Sequence, residues 1–177
     1  METRDHRRIF TGKVIDIDQF DCCVNANGWH TYQIVRHPGG VAVVPVHRDG
    51  TVTLISQYRP AVGKTLLELP AGRLDPNETP LACGLRELKE ETGLSAGDMT
   101  PLGSIYTSPG IFDEVIHLFL ATDLVEGEAD PESYEEILCQ RIPIGEALQM
   151  VVEGGIQDGK SIAGLVRAAH HLGVERG

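Results

Sequence analysis

Three carboxylates and an arginine lie close together in the middle of the chain: Arg86, Glu87, Glu90 and Glu91. If this stretch is helical, Glu87 and Glu91 stand four positions apart and Glu87 and Glu90 three, so the three carboxylates share one face. Like-charge pairs at these spacings cost roughly 0.2–0.5 kcal/mol each, and here they lie late in the helix, where its dipole favours cations. A solvated polar face is the ordinary explanation for such residues. Divalent cations bound between the carboxylates explain the unfavourable arrangement better, and all-oxygen ligands suit Mg²⁺ or Mn²⁺.

The helix that carries these residues has recognisable ends. Thr79 before Pro80 predicts an N-cap followed by a proline in the first helical position. The helix is expected to run to about Thr92 and to end at Gly93, with Leu94 making the apolar contact of a Schellman cap. Its core face is expected to consist of the leucines spaced i, i+4 and i+7, which are Leu81, Leu85 and Leu88.

β-Strands are predicted on both sides of this helix. Residues 41–46 and 51–58 flank His47-Arg48-Asp49-Gly50, and Asp-Gly between two apolar runs predicts a β-hairpin. A central strand is expected at 115–121. The other predicted elements are short β-prone runs within 9–35, strands at 66–69 and 137–142, and helices at 144–152 and 160–172. This order of elements predicts an α+β fold with a mixed sheet.

Residues 72–94 resemble the Nudix box, the signature of a family of hydrolases. The pattern is a glycine, five residues, a glutamate, seven residues, then Arg-Glu-apolar-x-Glu-Glu-x-Gly-apolar. Every fixed position is filled: Gly72, Glu78, Arg86, Glu87, Leu88, Glu90, Glu91, Gly93 and Leu94. The resemblance implies a Nudix-type α/β/α sandwich with a mixed sheet over residues 41–177. It also implies an N-terminal β arm over residues 1–40.

The resemblance assigns a metal site to this motif. Glu87 and Glu91 are the expected metal ligands, together with the backbone carbonyl of Ala71 just before the box. Glu90 is expected to be a lower-rank ligand or a contact to the attacking water, which places it in the catalytic set. Mg²⁺ is the expected cofactor, and Mn²⁺ is expected to substitute for it.

The remaining motif residues are expected to be structural. Arg86 would anchor the acidic cluster by pairing with a neighbouring glutamate, and its i, i+4 spacing suits Glu90. Gly72 and Gly93 would serve the backbone geometry. Glu78, just ahead of the helix, would favour the positive N-terminal end of the helix dipole.

Segments outside the box resemble the ADP-ribose pyrophosphatase branch of the family. Pro109 lies sixteen residues beyond Gly93, a spacing found in that branch. The surrounding stretch, 108–114, resembles the branch's mobile catalytic loop, in which Glu114 is the candidate general base. A lone proline in a loop is usually only a turn residue. The fixed offset and the acidic loop favour the functional interpretation, with Pro109 and Gly110 as substrate contacts.

Other residues are candidates for holding the substrate. Arg59 at a strand end could bind a phosphate through paired hydrogen bonds, although a surface ion pair is the ordinary alternative. Arg36 is a candidate for a phosphate or ribose contact. In the family, the N-terminal arm often reaches across a homodimer and stacks aromatics on adenine. Tyr32 and Trp29 are the candidates here, although an aromatic on a short strand is more often a core residue.

The implied reaction is metal-dependent hydrolysis of the pyrophosphate of a nucleoside diphosphate-sugar. With ADP-ribose as the expected substrate, the products are AMP and ribose 5-phosphate. GDP-mannose or another sugar nucleotide is the alternative on the same scaffold. A non-catalytic ADP-ribose sensor is the alternative from another class, and the intact Glu87, Glu90 and Glu91 argue against it.

Composition argues against several other partners. The formal net charge of −11 disfavours nucleic acid, because a polyphosphate backbone needs a basic surface. No apolar run approaches the roughly 20 residues of a membrane span, and the charged N-terminus lacks the apolar core of a secretory signal. The four cysteines form no C-x-x-C pair, so free thiols are expected. A cytoplasmic protein is therefore predicted.

Overall fold

The computed structural model describes residues 1–25, 28–130 and 137–174. In chain order the strands are β1 (Glu2–Thr11), β2 (Asp16–Cys23), β3 (Trp29–Arg36), β4 (Gly40–Pro45), β5 (Thr51–Arg59), β6 (Lys64–Glu68), β7 (Ala71–Arg73), β8 (Ser95–Tyr106), β9 (Val115–Val125) and β10 (Ile137–Pro143). The helices are α1 (Pro80–Thr92), α2 (Ile144–Glu153) and α3 (Gly159–Leu172). None of the helices in these ranges is long and apolar enough to cross a membrane.

The chain divides into two compact units. The first contains Met1–Gly39 and Tyr106–Val115, and the second contains Gly40–Ile105 and the residues from Ile116 onward. A stretch from the middle of the chain therefore packs with the N-terminal residues. The division into an arm of 1–40 and a domain of 41–177 stays a prediction.

The first unit is built on a three-stranded antiparallel sheet with the order β1-β2-β3. Every residue of β1 is exposed. At the end of β3, the Val35 N–H donates to the Ile111 carbonyl at 2.8 Å, and the Asp113 N–H donates to the Val35 carbonyl at 3.1 Å. These bonds fix the loop around 108–114 to the last residues of β3.

The second unit is centred on β4, which is buried along its whole length. β4 pairs parallel with β9 and antiparallel with β7 in a sheet of order β7-β4-β9-β8. Val41 and Val43 pack in an apolar cluster with α1, whereas Ala42 and Val44 pack in a cluster with α3. The predicted α+β fold, with a mixed sheet between helical layers, is confirmed.

Both helices approach β4 closely because each presents a glycine to it. A Cβ atom on Gly84 of α1 would lie 3.2 Å from Cγ1 of Val41. A Cβ atom on Gly164 of α3 would lie 3.2 Å from Cγ2 of Val44 and 2.6 Å from Cδ1 of Leu69. Real side-chain carbons do not approach to 2.6 Å, so the second contact has no room for a larger residue.

The predicted hairpin between 41–46 and 51–58 is wrong. The turn itself forms, with the His47 N–H donating to the Thr51 carbonyl at 2.8 Å. The two strands then separate, because both edges of β4 are taken by β7 and β9. Within the described ranges they share one antiparallel bridge, Val46 to Val52, and β5 pairs instead with β6 and β10.

The predicted core face of α1 is also wrong at two of its three positions. Leu88 is fully buried, but Leu81 is 45% exposed and Leu85 is 40% exposed. The helix buries Gly84 and Glu91 instead, along with Cys83 and Leu88. The face is set by how closely α1 approaches β4 and by what Glu91 contacts, and neither follows from the spacing of leucines.

The ends of α1 match the sequence except in the detail of the C-cap. Thr79 accepts a hydrogen bond from the Ala82 N–H at 3.3 Å, and Gly93 has the left-handed φ of 73°. The Gly93 N–H bonds to the Lys89 carbonyl, which makes this the simple αL motif. The Leu94 N–H donates to Thr92 Oγ1 at 3.2 Å, so the predicted Schellman cap is wrong.

The sequence also missed β8, which carries glycines at 97 and 103 and a proline at 101. Proline and glycine disfavour a central strand. β8 is the edge strand of its sheet, and an edge tolerates proline because half of its N–H groups need no partner strand.

We expect Gly164→Ala to lower the free energy of unfolding by about 1 kcal/mol. Overpacking costs typically about 1–3 kcal/mol, and this cost outweighs the roughly 1 kcal/mol by which alanine favours a helix over glycine. Gly145 of α2 is the matched control, since nothing lies within 4 Å of a Cβ built there. Gly145→Ala should raise the free energy of unfolding by roughly 0.5 kcal/mol. Urea denaturation measures the change in the free energy of unfolding of each variant. If both alanines stabilised the protein equally, the tight contact at Gly164 would be contradicted.

Candidate active site

Glu91 ties the last turn of α1 to the start of β7. Its side chain is almost fully buried, and Oε2 accepts a hydrogen bond from the Ala71 N–H at 2.8 Å. Ala71 is in turn held opposite Ala42 by strand pairing. The predicted ligand carboxylate and the residue that supplies the predicted carbonyl ligand are therefore directly bonded.

Glu87 occupies the space beside the backbone of Gly72. A Cβ atom on Gly72 would lie 1.8 Å from Oε1 of Glu87 and 1.9 Å from its carboxyl carbon. Any side chain at position 72 would therefore collide with this carboxylate. The glycine that opens the motif is required for its missing side chain, since its φ lies outside the positive range reached by other glycines of this chain.

Arg86 bridges three carboxylates with one guanidinium. It forms a two-bond pair with Glu78, with both distances 2.9 Å. It also donates to Oε1 of Glu87 at 2.6 Å and to Oε2 of Glu90 at 3.0 Å. The last contact is the i, i+4 ion pair suggested by the spacing. Charge-assisted bonds of this kind offset the repulsion among the acidic side chains.

Glu78 contacts Arg86 and the backbone of the preceding loop. Besides its two bonds from Arg86, it accepts a hydrogen bond from the Asp75 N–H at 3.1 Å. The hydrogen bonds from Arg86 lower the pKa of Glu78 to about 2. Glu78 thus stays ionised and holds the far side of the guanidinium, while Glu87 and Glu90 hold the near side.

The acidic face suits a hard divalent cation. Mg²⁺ commonly takes one or two carboxylates and completes its shell with water and substrate phosphates. Glu91 is buried with one oxygen fixed by the Ala71 N–H, and Glu87 lies in the space that Gly72 leaves open. Within the described ranges, no three His, Cys, Asp or Glu side chains already enclose an ion position, and Arg86 holds Glu87 and Glu90.

Arg59 is engaged by a buried carboxylate. Its Nε and one Nη donate to the two oxygens of Glu68 at 2.8 and 2.7 Å, and Glu68 is 1% exposed. Lys160 at the start of α3 also donates to Glu68. Burial acts to raise the pKa of Glu68, but the hydrogen bonds from Arg59 and Lys160 outweigh it, so the pKa is lowered.

Lys160 and Glu68 were not singled out by the sequence. A signal for Lys160 existed, because a lysine in the first turn of a helix opposes the dipole. Its bonds to Glu68 and its ion pair of 3.0 Å with the N-cap residue Asp158 account for it. Glu68 gave a weaker signal, as the one charged residue of the predicted strand 66–69.

In the first unit, Arg36 pairs with two aspartates. Its Nε donates to Asp18 at 3.0 Å and one Nη to Asp113 at 2.9 Å. Tyr32 is 36% exposed and stacks on Phe20 with ring centroids 6.1 Å apart. The Trp29 ring is covered by the guanidinium of Arg4 at 4.1 Å.

The candidate loop at 108–114 also lies in the first unit. Pro109 and Gly110 are exposed at its tip. Glu114 is largely buried, with a side chain 18% exposed, and its Oε1 lies 3.1 Å from Nδ1 of His37. The sequence did not single out His37.

We expect Gly72→Ala to displace the Glu87 carboxylate without unfolding the chain, because the end of a flexible side chain yields before the backbone does. The affinity for Mg²⁺ or Mn²⁺ should fall roughly 10- to 100-fold, the range found when a residue that orients a metal ligand is changed. Isothermal titration with each metal measures this, beside thermal unfolding. Gly145→Ala serves as the control, and wild-type metal affinity in Gly72→Ala would contradict the steric argument.

The chain is similar to known proteins over most of its length. The NUDIX domain model matches residues 36–163. The chain is 37% identical over 158 residues to the ADP-ribose pyrophosphatase of Bacillus subtilis, covering 87% of this chain and 84% of that protein. It is 36% identical over 159 residues to the methanol dehydrogenase activator of Bacillus methanolicus, covering 88% and 85%. It is 35% identical over 146 residues to a GDP-mannose pyrophosphatase of Klebsiella pneumoniae, covering 75% and 72%.

Among solved structures, the chain resembles the crystal structure of an ADP compounds hydrolase. The TM-score is 0.85 with 21% sequence identity, over 99% of this chain and 96% of that one. At this identity the likeness shows a shared fold. Together with the complete motif on α1 and the family model, these relatives show that the chain belongs to the Nudix family and is a hydrolase of that family.

Proposed function

We propose that this Nudix hydrolase cleaves the pyrophosphate bond of a nucleoside diphosphate-sugar, and that ADP-ribose is its main substrate. The products would be AMP and ribose 5-phosphate. The observation that carries the proposal is the acidic face of α1, on which buried Glu91 bonds to Ala71 and Glu87 fits against Gly72. A relative that covers most of the chain carries the name ADP-ribose pyrophosphatase.

Glu87, Glu91 and the carbonyl of Ala71 are the proposed ligands of Mg²⁺, with Mn²⁺ able to take its place. Members of this family generally need a divalent metal ion. When bound, such an ion neutralises diphosphate charge and lowers the pKa of an attacking water. The Ala71 N–H fixes one Glu91 oxygen and so orients the carboxylate that is proposed to bind the cation.

Glu114 is the proposed general base, and Glu90 is proposed to help orient the attacking water. General bases contribute typically about 10²- to 10⁴-fold to a rate. Arg86 holds Glu90 from the same helix, which would keep that carboxylate in place without removing its charge.

The proposed substrate contacts are polar groups and loop residues. Arg59 spends two of its N–H groups on Glu68, and a guanidinium has five, so a phosphate can still be bound. Arg36 is proposed for phosphate or ribose, Tyr32 for the base, and Pro109 and Gly110 for the loop that borders the substrate.

GDP-mannose is the second candidate substrate. A relative of similar identity carries the name GDP-mannose pyrophosphatase, and the metal-binding motif does not distinguish between the two sugar nucleotides. The non-catalytic sensor is disfavoured by the complete set of carboxylates on α1. We place the protein in the cytoplasm, which suits its four free thiols.

A substrate panel tests the proposal directly. With Mg²⁺ and then Mn²⁺, ADP-ribose should be hydrolysed with the highest kcat/KM among ADP-ribose, GDP-mannose, ADP-glucose, NADH and diadenosine polyphosphates. Glu91→Gln keeps an oxygen for the Ala71 N–H but removes the charge, so its kcat should fall at least roughly a hundredfold. A higher kcat/KM for GDP-mannose would make GDP-mannose the proposed substrate. Near-normal turnover in Glu91→Gln at saturating Mg²⁺ would refute the assignment of Glu91 as a metal ligand.

We further propose a homodimer in which the N-terminal strands contribute to the assembly. The supporting observation is that β1 is exposed throughout, including Ile9 at 43% and Phe10 at 50%. Exposed apolar side chains that lie together on a surface mark interaction sites.

For this assembly, Phe10→Asp should shift a dimer toward monomer, because it places a charge among apolar contacts. Val152 on α2 is 75% exposed, so Val152→Asp is the matched control and should leave the mass unchanged. Light scattering at micromolar concentration measures both. A wild-type protein that is active as a monomer would refute the dimer.

A further inference from the structure

The candidate base Glu114 and the backbone N–H of Gly39 both lie within hydrogen-bond distance of the same ring nitrogen of His37. His37 Nδ1 lies 3.1 Å from Oε1 of Glu114, and the Gly39 N–H also points to Nδ1 at 3.1 Å. Both side chains are largely buried, at 12% for His37 and 18% for Glu114. A nitrogen has one position for a proton or a lone pair, so it cannot donate to Glu114 and accept from Gly39 at once.

The His37 ring is itself held in place. Phe112 packs edge-on against it, with ring centroids 5.5 Å apart and an angle of 66°. The His37 N–H donates to Oδ1 of Asp113 at 2.9 Å, and Arg36 binds the other oxygen of that carboxylate. Residues 35–37 therefore bind the loop through both backbone and side chains, and these contacts hold the His37 ring beside Glu114.

We propose that His37 is the positioning residue for Glu114, acting through Nδ1. This inference rests on the proposed function, because it matters to the reaction only if Glu114 handles the attacking water. When Nδ1 carries a proton, it donates to the carboxylate and holds it. When Nδ1 accepts from Gly39 instead, Glu114 is released with its charge intact. His37 thus sets the orientation from which Glu114 acts.

A purely structural histidine would behave differently. If His37 only filled space against Phe112, any ring of similar shape would serve, and losing it would affect folding or substrate affinity rather than turnover. A positioning role instead requires a nitrogen at the place of Nδ1. Asparagine puts its amide nitrogen near that place, whereas glutamine reaches the place of Nε2.

The test uses the full-length protein with ADP-ribose and Mg²⁺, comparing kcat and KM for His37→Phe, His37→Asn and His37→Gln. Phenylalanine keeps the ring and removes both nitrogens, so kcat should fall roughly tenfold, the lower end for loss of an orienting partner, with KM unchanged. Asparagine should restore most of kcat and glutamine should not. Thermal unfolding of each variant separates a folding defect from a kinetic one.

The same kinetics in a Glu114→Gln background show whether His37 acts through Glu114. Residues that work as a unit are non-additive, so His37→Phe should have no further effect once Glu114 is changed. The inference is overturned if His37→Phe lowers kcat equally in both backgrounds, if it changes KM alone, or if asparagine and glutamine behave alike.

The positioning role of His37 and the base role of Glu114 would be refuted by different results. If Glu114→Gln loses turnover while His37→Phe keeps wild-type kcat, only the positioning role falls, and Glu114 stays the candidate base. If Glu114→Gln itself keeps wild-type kcat, the base assignment falls and the positioning role falls with it. If the wild-type protein does not hydrolyse ADP-ribose, the substrate assignment is refuted before either variant is considered.

Discussion

The second unit depends on how closely two helices approach one strand. β4 is buried on both faces, and α1 and α3 reach it through Gly84 and Gly164, where an added side chain would be crowded against valines of the strand. This approach determines which face of α1 turns inward. Glu91 then reaches the Ala71 N–H, and the acidic face lies along β7. The position of the acidic face therefore depends on the close packing of α1 against β4 at Gly84.

The acidic face is stabilised by the protein even without a cation. Arg86 contacts Glu78, Glu87 and Glu90, and the Ala71 N–H satisfies one oxygen of Glu91. A metal that binds Glu87 must therefore compete with Arg86 for it. The advantage of this arrangement is that the carboxylates are already oriented. Its consequence is that metal affinity reflects the difference between two favourable interactions.

Local signals predicted the parts of this structure that depend on neighbours in sequence. The two ends of α1, the central strand and the motif all follow from residues a few positions apart. What failed depends on contacts distant in sequence: Leu81 and Leu85 are exposed because glycine, and not leucine, faces β4. Lys160 meets Glu68 across 92 positions, and His37 meets Glu114 across 77. Contacts between residues so far apart leave no periodic pattern in the sequence, so they cannot be predicted from it.

The charge of the site constrains how an anionic substrate can bind. Arg86 pairs with three carboxylates, those of Glu78, Glu87 and Glu90, and Glu91 lies on the same helix, so this cluster carries a net negative charge. Two unit charges 4 Å apart repel by about 4 kcal/mol at the effective dielectric near a protein surface. A diphosphate therefore needs cations between it and this face. In the proposed reaction, divalent ions bound at this face would therefore contribute to substrate binding as well as to catalysis.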